Sequence, residues 1–296
     1  MSVTVLEVIQ RSTEFLAKRE VDSPRLQTEL LLAHLLNMPR MKLYLNFDRA
    51  LTDAELDGFR ELIKRRGQRE PLQHITGSTS FCGLEMTVNR HVFVPRPETE
   101  LLAERGWEFL NQLQTQERPQ SDTNQPLSAL DFGTGSGCLS ITLAVKCPAV
   151  QVAALDISAD ALATAKQNAI RHGVVDRLNF IQADGFQTLP TETRFDLIVS
   201  NPPYIPTAEI EILAPEVRDH DPRPALDGGP DGFSMFRRLA VEAGPFLKTN
   251  GKMMLEFGDG QEKMLPELLE KQNWIVERIL SDYTQRPRLL IARRRN

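Results

Sequence analysis

Cysteine is scarce in this sequence. Among 296 residues only Cys82, Cys138 and Cys147 occur, with no C-x-x-C pair, so neither a disulfide framework nor a cysteine-rich zinc module is expected. The five histidines, His34, His74, His91, His172 and His220, are scattered without metal-ligand spacing, and no metal site is expected. No apolar run approaches membrane-spanning length, and the opening MSVTVLEVIQRSTEF has no basic segment leading into an apolar one, which argues against a secretory signal. The expectation is a cytoplasmic protein with reduced thiols. Positive charge is not in excess either: 35 Lys and Arg face 40 Asp and Glu, a net charge of −5. Gripping a nucleic-acid backbone over a long tract draws on clustered Lys and Arg, so direct, stable nucleic-acid binding is not expected.

What is present divides into two rhythms. The beginning reads helical, with Val5, Ile9 and Leu16 close to one face. In DSPRLQTELLLAHLL, Ser23 is placed to cap and Pro24 to open a helix with Leu26, Leu30 and His34 in register. TDAELDGFRELIKRR starts with Thr52 and Glu55 at capping-box spacing, and Lys64, Arg65 and Arg66 read as its solvated last turn. A small helical bundle over residues 1–71 follows from these segments. Residues 72–95 alternate apolar and polar around Gly77 and Gly83 and read as a β-hairpin linker. VPRPETE then opens a helix, and the polar QTQERPQSDTNQP reads as a loop.

From about residue 127 short apolar strands alternate with helices: LSALDFG, VQVAALD, LNFIQAD, FDLIVSN, GKMMLEFG, WIVERIL and RPRLLIARR. That alternation predicts an α/β domain over residues 96–296, a doubly wound, mostly parallel sheet of seven strands. In such sheets ligands sit at the carboxyl ends of the strands. The first strand runs into Gly133, Thr134, Gly135, Ser136 and Gly137, where the backbone can come close to a ligand. The second ends in Asp156, about 20 residues on, where a carboxylate can accept both ribose hydroxyls. The third ends in Asp184 and Phe186, suited to an adenine amino group and to covering the ring. No Walker lysine follows the glycines, so an adenosine without a phosphate chain is the expected ligand. The fourth strand ends in Asn201, Pro202, Pro203 and Tyr204. The prolines stiffen the backbone and hold Asn201 extended. An ordinary Asn-Pro turn uses the same letters, but here the tetrapeptide falls on the binding edge.

DFGTGSG, Asp156 and NPPY together resemble the class I S-adenosylmethionine-dependent methyltransferases that act on planar nitrogen. More narrowly, the chain is similar over nearly its full length to the HemK/PrmC family, the peptide-chain release factor glutamine methyltransferases. The narrower likeness rests on VPRPETE (94–100), GTGSGC (133–138), NPPYIP (201–206), PALDGGPDGF (224–233), the helical front and the hairpin; Asp221 stands where the family usually has glutamate. The resemblance implies methyl transfer from S-adenosylmethionine to the side-chain nitrogen of the glutamine in the Gly-Gly-Gln loop of release factors. It implies that Gly133 to Gly137 hold the methionine part of the cofactor, Asp156 the ribose, and Asp184 with Phe186 the adenine. Asn201 to Tyr204 would hold the substrate amide at the cofactor, and the helical front would dock the protein substrate.

A carboxamide nitrogen is a poor nucleophile because its lone pair is shared with the carbonyl. Asn201 and the Pro202 carbonyl are expected to accept its two hydrogens, with Tyr204 flanking the amide. A monomer is expected. Three other readings remain open on the residues alone: a ribosomal-protein glutamine methyltransferase, a nucleic-acid adenine-N6 methyltransferase, and a non-catalytic adenosine-binding module.

Overall fold

A computed structural model of the protein describes residues 3–115 and 126–295, so most of the polar stretch around residue 120 lies outside the described residues. The chain forms two compact units, Met1–Ser78 with Leu213–His220, and Thr79–Ile212 with Asp221–Asn296.

The first unit contains helices α1 (Val5–Ala17), α2 (Pro24–Leu35), α3 (Arg40–Tyr44), α4 (Asp53–Gly67) and α5 (Leu72–Thr76). Thr4 and Thr52 open α1 and α4 with complete capping boxes to Glu7 and Glu55. Ser23 precedes α2 but makes no capping bond, because its backbone is left-handed (φ 47°) rather than extended. The inward face of α2 also differs from the expected one. Thr28, Leu31 and Leu32 are buried, while Leu26 is 41% exposed and His34 is exposed. The run of leucines from 30 to 32 offers more than one apolar stripe, and packing against α1 and α4 selects among them. Their common core is Val5, Ile9, Leu16, Leu31, Leu32, Phe59 and Ile63.

Residues 72–95 do not form one hairpin. Pro71 starts α5, and Gly77, at φ 76°, ends it in the left-handed conformation. The hairpin proper is β1 (Ser78–Phe81) and β2 (Leu84–Thr87), joined by Cys82 and Gly83, both at positive φ as a two-residue primed turn requires. Apart from Ser78 the hairpin belongs to the second unit, where Phe81 and Met86 enter the core and Asn168 clasps Thr87 through both its amide and its carbonyl.

The first unit also takes in a piece of chain from far downstream. Helix α9 (Pro215–Arg218) carries Glu216, whose carboxylate accepts from Arg66 at 2.6 Å and from Arg69 at 2.8 and 2.7 Å. Arg66 is therefore buried, contrary to its reading as a solvated end of α4. Its counter-charge lies 150 residues away, beyond the reach of any local pattern.

The second unit holds α6 (Thr99–Thr115), β3 (Leu127–Phe132), α7 (Cys138–Lys146), β4 (Val150–Asp156), α8 (Ala159–Arg171), β5 (Leu178–Gln182) and β6 (Phe195–Ser200). It continues with α10 (Ser234–Glu242), β7 (Leu247–Glu256), α11 (Met264–Lys271), β8 (Trp274–Ser281) and β9 (Pro287–Arg294). The seven strands order as β5-β4-β3-β6-β7-β9-β8, with β9 antiparallel to its neighbours β7 and β8. Residues alternate between two cores along each strand. Leu127 and Ala129 join α6 and α7 on one face, and Leu130 and Phe132 join α10 and α11 on the other. This sandwich explains the nearly unbroken apolar runs of β3 and β6.

Candidate active site

The strand order reverses between β3 and β6, and the carboxyl ends of the parallel strands there carry the residues of interest. After β3 the chain turns through Gly133, Gly135 and Gly137, with φ of 76°, 55° and 80°. A Cβ placed on Gly133 or Gly135 would meet no atom within 4 Å, so the outer side of this turn is open. At Gly137 a Cβ would lie 2.9 Å from Ile141 Cδ1 and 3.2 Å from Ala165 Cα. At that glycine the missing side chain serves the close approach of α7 and α8.

Thr134 and Ser136 turn inward and are buried. The Thr134 hydroxyl donates to Asp131 Oδ2 at 2.6 Å, and the Ser136 carbonyl accepts from Asn168 at 2.9 Å. The Ser136 hydroxyl, like Asp131 Oδ1 below, has no hydrogen-bond partner among the described residues. Beneath the turn Asp131 is fully buried, and its Oδ1 has no hydrogen-bond partner among the described residues. Burial pushes this carboxyl up to about 6, opposed by its bonds from Thr134 and Ser140.

Asp156 at the end of β4 is pinned across the same turn. Its Oδ2 accepts from the Gly135 amide at 2.8 Å and its Oδ1 from the Ser158 amide at 2.9 Å. Each carboxylate oxygen retains a further acceptor site, enough for the two hydroxyls of a ribose. Capping of α8 falls to Ser158, which accepts from Ala161. An open turn, an unsatisfied buried acceptor and a fixed carboxylate fit an adenosine-bearing ligand with a polar tail.

Two expectations at the end of β5 change. Phe186 is 2% exposed and stacked between Phe132 and Phe246, with both centroid distances 5.1 Å. A ring so buried lies in the core and leaves almost no surface to cover an adenine; a run of Phe132, Phe186 and Phe246 fills the core instead. Asp184 is exposed and ion-paired with Arg238 of α10, whose guanidinium also bonds the Asp184 carbonyl. Arg238 lies so close to Gly185 that a Cβ there would sit 2.7 Å from its Cζ.

At the end of β6, Asn201 is half-buried and its Nδ2 donates to Thr99 Oγ1 at 3.1 Å. No hydrogen bond among the described residues uses its Oδ1 or the Pro202 carbonyl. Tyr204 is braced from three sides. Its carbonyl accepts from Gln261 Nε2 at 3.1 Å, a Cβ on Gly258 would lie 2.9 Å from its ring, and a Cβ on Gly228 would lie 2.8 Å from its backbone. Burial raises its phenol above the ordinary tyrosine range, and the nearby Glu256 carboxylate raises it further. Glu256, at the end of β7, is 3% exposed.

Thr99, Gln261, Gly228, Gly258 and Glu256 went unassigned on sequence alone. A signal existed for some of them. Thr99 lies in VPRPETE and Gly228 in PALDGGPDGF, the two segments of the family likeness without a role, and Glu256 closes a buried strand at the ligand edge.

The PrmC N-terminal domain family model matches residues 7–77, and the methyltransferase small domain model matches residues 110–214. A release factor glutamine methyltransferase of Geobacter sulfurreducens is 42% identical over 258 residues, covering 87% of this chain and 85% of the relative. One from Chlorobaculum tepidum is 42% identical over 256 residues, covering 86% and 85%. The chain belongs to the release factor glutamine methyltransferase family. Among solved structures, a methyltransferase from Pyrococcus furiosus superposes with a TM-score of 0.51 at 20% identity, covering 77% of this chain and 97% of that one. That likeness is one of fold. Within the release factor glutamine methyltransferases, the VPRPETE and GGPDGF segments now acquire a physical place in this chain: they wall in Asn201 and Tyr204.

Proposed function

We propose that the protein transfers a methyl group from S-adenosylmethionine to the side-chain amide nitrogen of the glutamine in the Gly-Gly-Gln loop of peptide-chain release factors. The observation that carries this reading is the state of the Asn201 amide. Its NH2 end is committed to Thr99, which leaves Oδ1, next to the Pro202 carbonyl, as an acceptor at the sheet edge that also holds Asp156 and the glycine turn. A primary amide brings two hydrogens, and two fixed acceptors suit it.

S-adenosylmethionine, when bound, supplies an electrophilic methyl carbon. Asp156 would hold the ribose, and the backbone of Gly133 to Gly137, with the unpartnered Asp131 Oδ1 beneath it, would hold the amino-acid part. Asn201 Oδ1 and the Pro202 carbonyl orient the incoming nitrogen, favour its loss of planarity and stabilise the positive charge that grows on it. Pro202 and Pro203 keep these acceptors from relaxing, and Tyr204, fixed by Gln261, flanks the amide plane. No strong base is needed before transfer, since the alkylated cationic nitrogen loses its proton readily to water. The helical unit is assigned to docking the protein substrate, supported by Met41, Tyr44 and Leu45, apolar side chains exposed together on and beside α3. A monomer is proposed. A release factor substrate implies a cytoplasmic setting, and no helix of the described residues is long and apolar enough to cross a membrane.

Incubation with labelled S-adenosylmethionine and, separately, release factor, ribosomal protein or DNA tests the reading. Label on the glutamine nitrogen of the release factor, located by fragment mass spectrometry, is the expected result. Label on adenine or on a ribosomal glutamine alone would overturn it.

A further inference from the structure

Strands β6 and β7 run side by side with Ser200 opposite Leu255, so the residues that follow, Asn201 and Glu256, stand at the same edge. Glu256 is almost wholly buried, and its Oε2 has no hydrogen-bond partner among the described residues. A carboxyl so placed is costly unless its neighbours use it. Those neighbours include the Thr99 hydroxyl and the Asn201 side chain, both of which favour its charged form. We propose that Glu256 is a positioning residue that decides, directly and through Thr99, which end of the Asn201 amide faces the substrate. This deepens the proposed function and rests on its reading of Asn201.

The argument is one of hydrogen-bond polarity. An ionised carboxylate only accepts, so Thr99 must direct its single hydroxyl hydrogen, and Asn201 an amide hydrogen, toward it. The Thr99 oxygen is then left to accept, which it does from Asn201 Nδ2 at 3.1 Å. One amide hydrogen of Asn201 is spent on Thr99, the other is drawn toward the Glu256 carboxylate, and Oδ1 is the group that remains for the substrate. A protonated Glu256 reverses the chain: it can donate, Thr99 can turn its hydrogen to Asn201 Oδ1, and the amide can sit half a turn over. Asn201 would then present NH2 to the substrate's own NH2, and two donors cannot pair.

The surroundings put this change within the working pH range. Burial pushes the Glu256 carboxyl up to about 7, against the favourable influence of Thr99, Arg288 of β9 and Asn201, while Glu98 before α6 pushes it further. The Tyr204 phenol after β6 faces it as well. The charged, acceptor-only form therefore prevails above that pH, and the rate should fall as pH drops through it.

The test compares Glu256→Gln, Thr99→Val, Thr99→Ser and Asn201→Ala with the unaltered protein on a Gly-Gly-Gln release factor, with cofactor affinity measured by calorimetry. Glu256→Gln should lower kcat about tenfold or more, short of the ~10²–10³ that follows outright removal of such a stabilising group. Its cofactor affinity should be unchanged, and its acid limb near pH 7 should disappear. Thr99→Val should copy the kcat loss and Thr99→Ser restore it, which decides the matter if Glu256→Gln does not fold. Full kcat with an unaltered acid limb in Glu256→Gln, beside an inactive Asn201→Ala, would overturn the inference alone. Full turnover in Asn201→Ala would overturn the reading of Asn201, and the inference with it.

Discussion

At the glycine turn the bonds that shape the site, Gly135 to Asp156, Asp156 to Ser158 and Thr134 to Asp131, stay within two successive strands and the turns that follow them. Around Asn201 the residues come from across the chain, with Thr99 from before β3, Gly228 from the loop before α10, Glu256 from the end of β7 and Gln261 from beyond it. The first region is built from β3 and β4 and the helices that follow them, with α8 reaching the turn through Asn168 and Ala165. The second exists only when β6 and β7 are paired and Gly228 and Gly232 lie against the Tyr204 backbone. A cofactor cradle can thus be shared by many chemistries, while the wall proposed to select a primary amide is assembled from distant segments.

Three substitutions probe this contrast. The largest effect is expected for Asn201→Ala: turnover should fall about 10³-fold, at the upper end of losses from removing a fixed transition-state partner, while cofactor affinity changes much less. Equal losses in a transfer assay and in calorimetry would merge the two regions into one. Next comes Asp156→Ala, which removes the carboxylate assigned to the ribose hydroxyls. Hydrogen bonds to a charged group contribute ~1.5–3 kcal/mol each, so cofactor affinity should fall about 10²-fold, and unchanged affinity would withdraw the ribose assignment. The smallest is Gly228→Ala. A methyl group there would lie 2.8 Å from the Tyr204 backbone, so the wall must shift. Overpacking of this kind costs about 1–3 kcal/mol, measurable by urea unfolding. With it kcat should drop about tenfold, the penalty of a small displacement at a positioned site; the cofactor dissociation constant should not move.

The same contrast explains what could be read from residues alone. Strand-helix alternation depends on local periodicity, and the seven strands, the glycine turn and the place of Asp156 followed from it. The turn's individual roles did not. Gly133, Gly135 and Gly137 look alike in sequence, yet the third answers to Ala165 on another helix. Phe186 carried the right chemistry for an adenine platform, but it is buried in the core against Phe132 and Phe246. Arg66 ended a helix as a solvated cation should, until Glu216 arrived to bury it. In each case the deciding partner is distant in sequence, and no spacing rule reaches that far. Leu26 is a separate kind of error: three consecutive leucines beside it admit several amphipathic stripes, and tertiary packing chose among them.

The Glu216 clasp bears on how the molecule can be divided. A polypeptide stopped after Ser78 would keep every helix of the N-terminal bundle but lose the acid that neutralises Arg66 and Arg69, leaving one guanidinium stranded in the interior. Excising the bundle by a single cut is therefore a poor route to a folded fragment; grafting residues 213–220 back onto it, or replacing Arg66 by an uncharged side chain, is the sounder one.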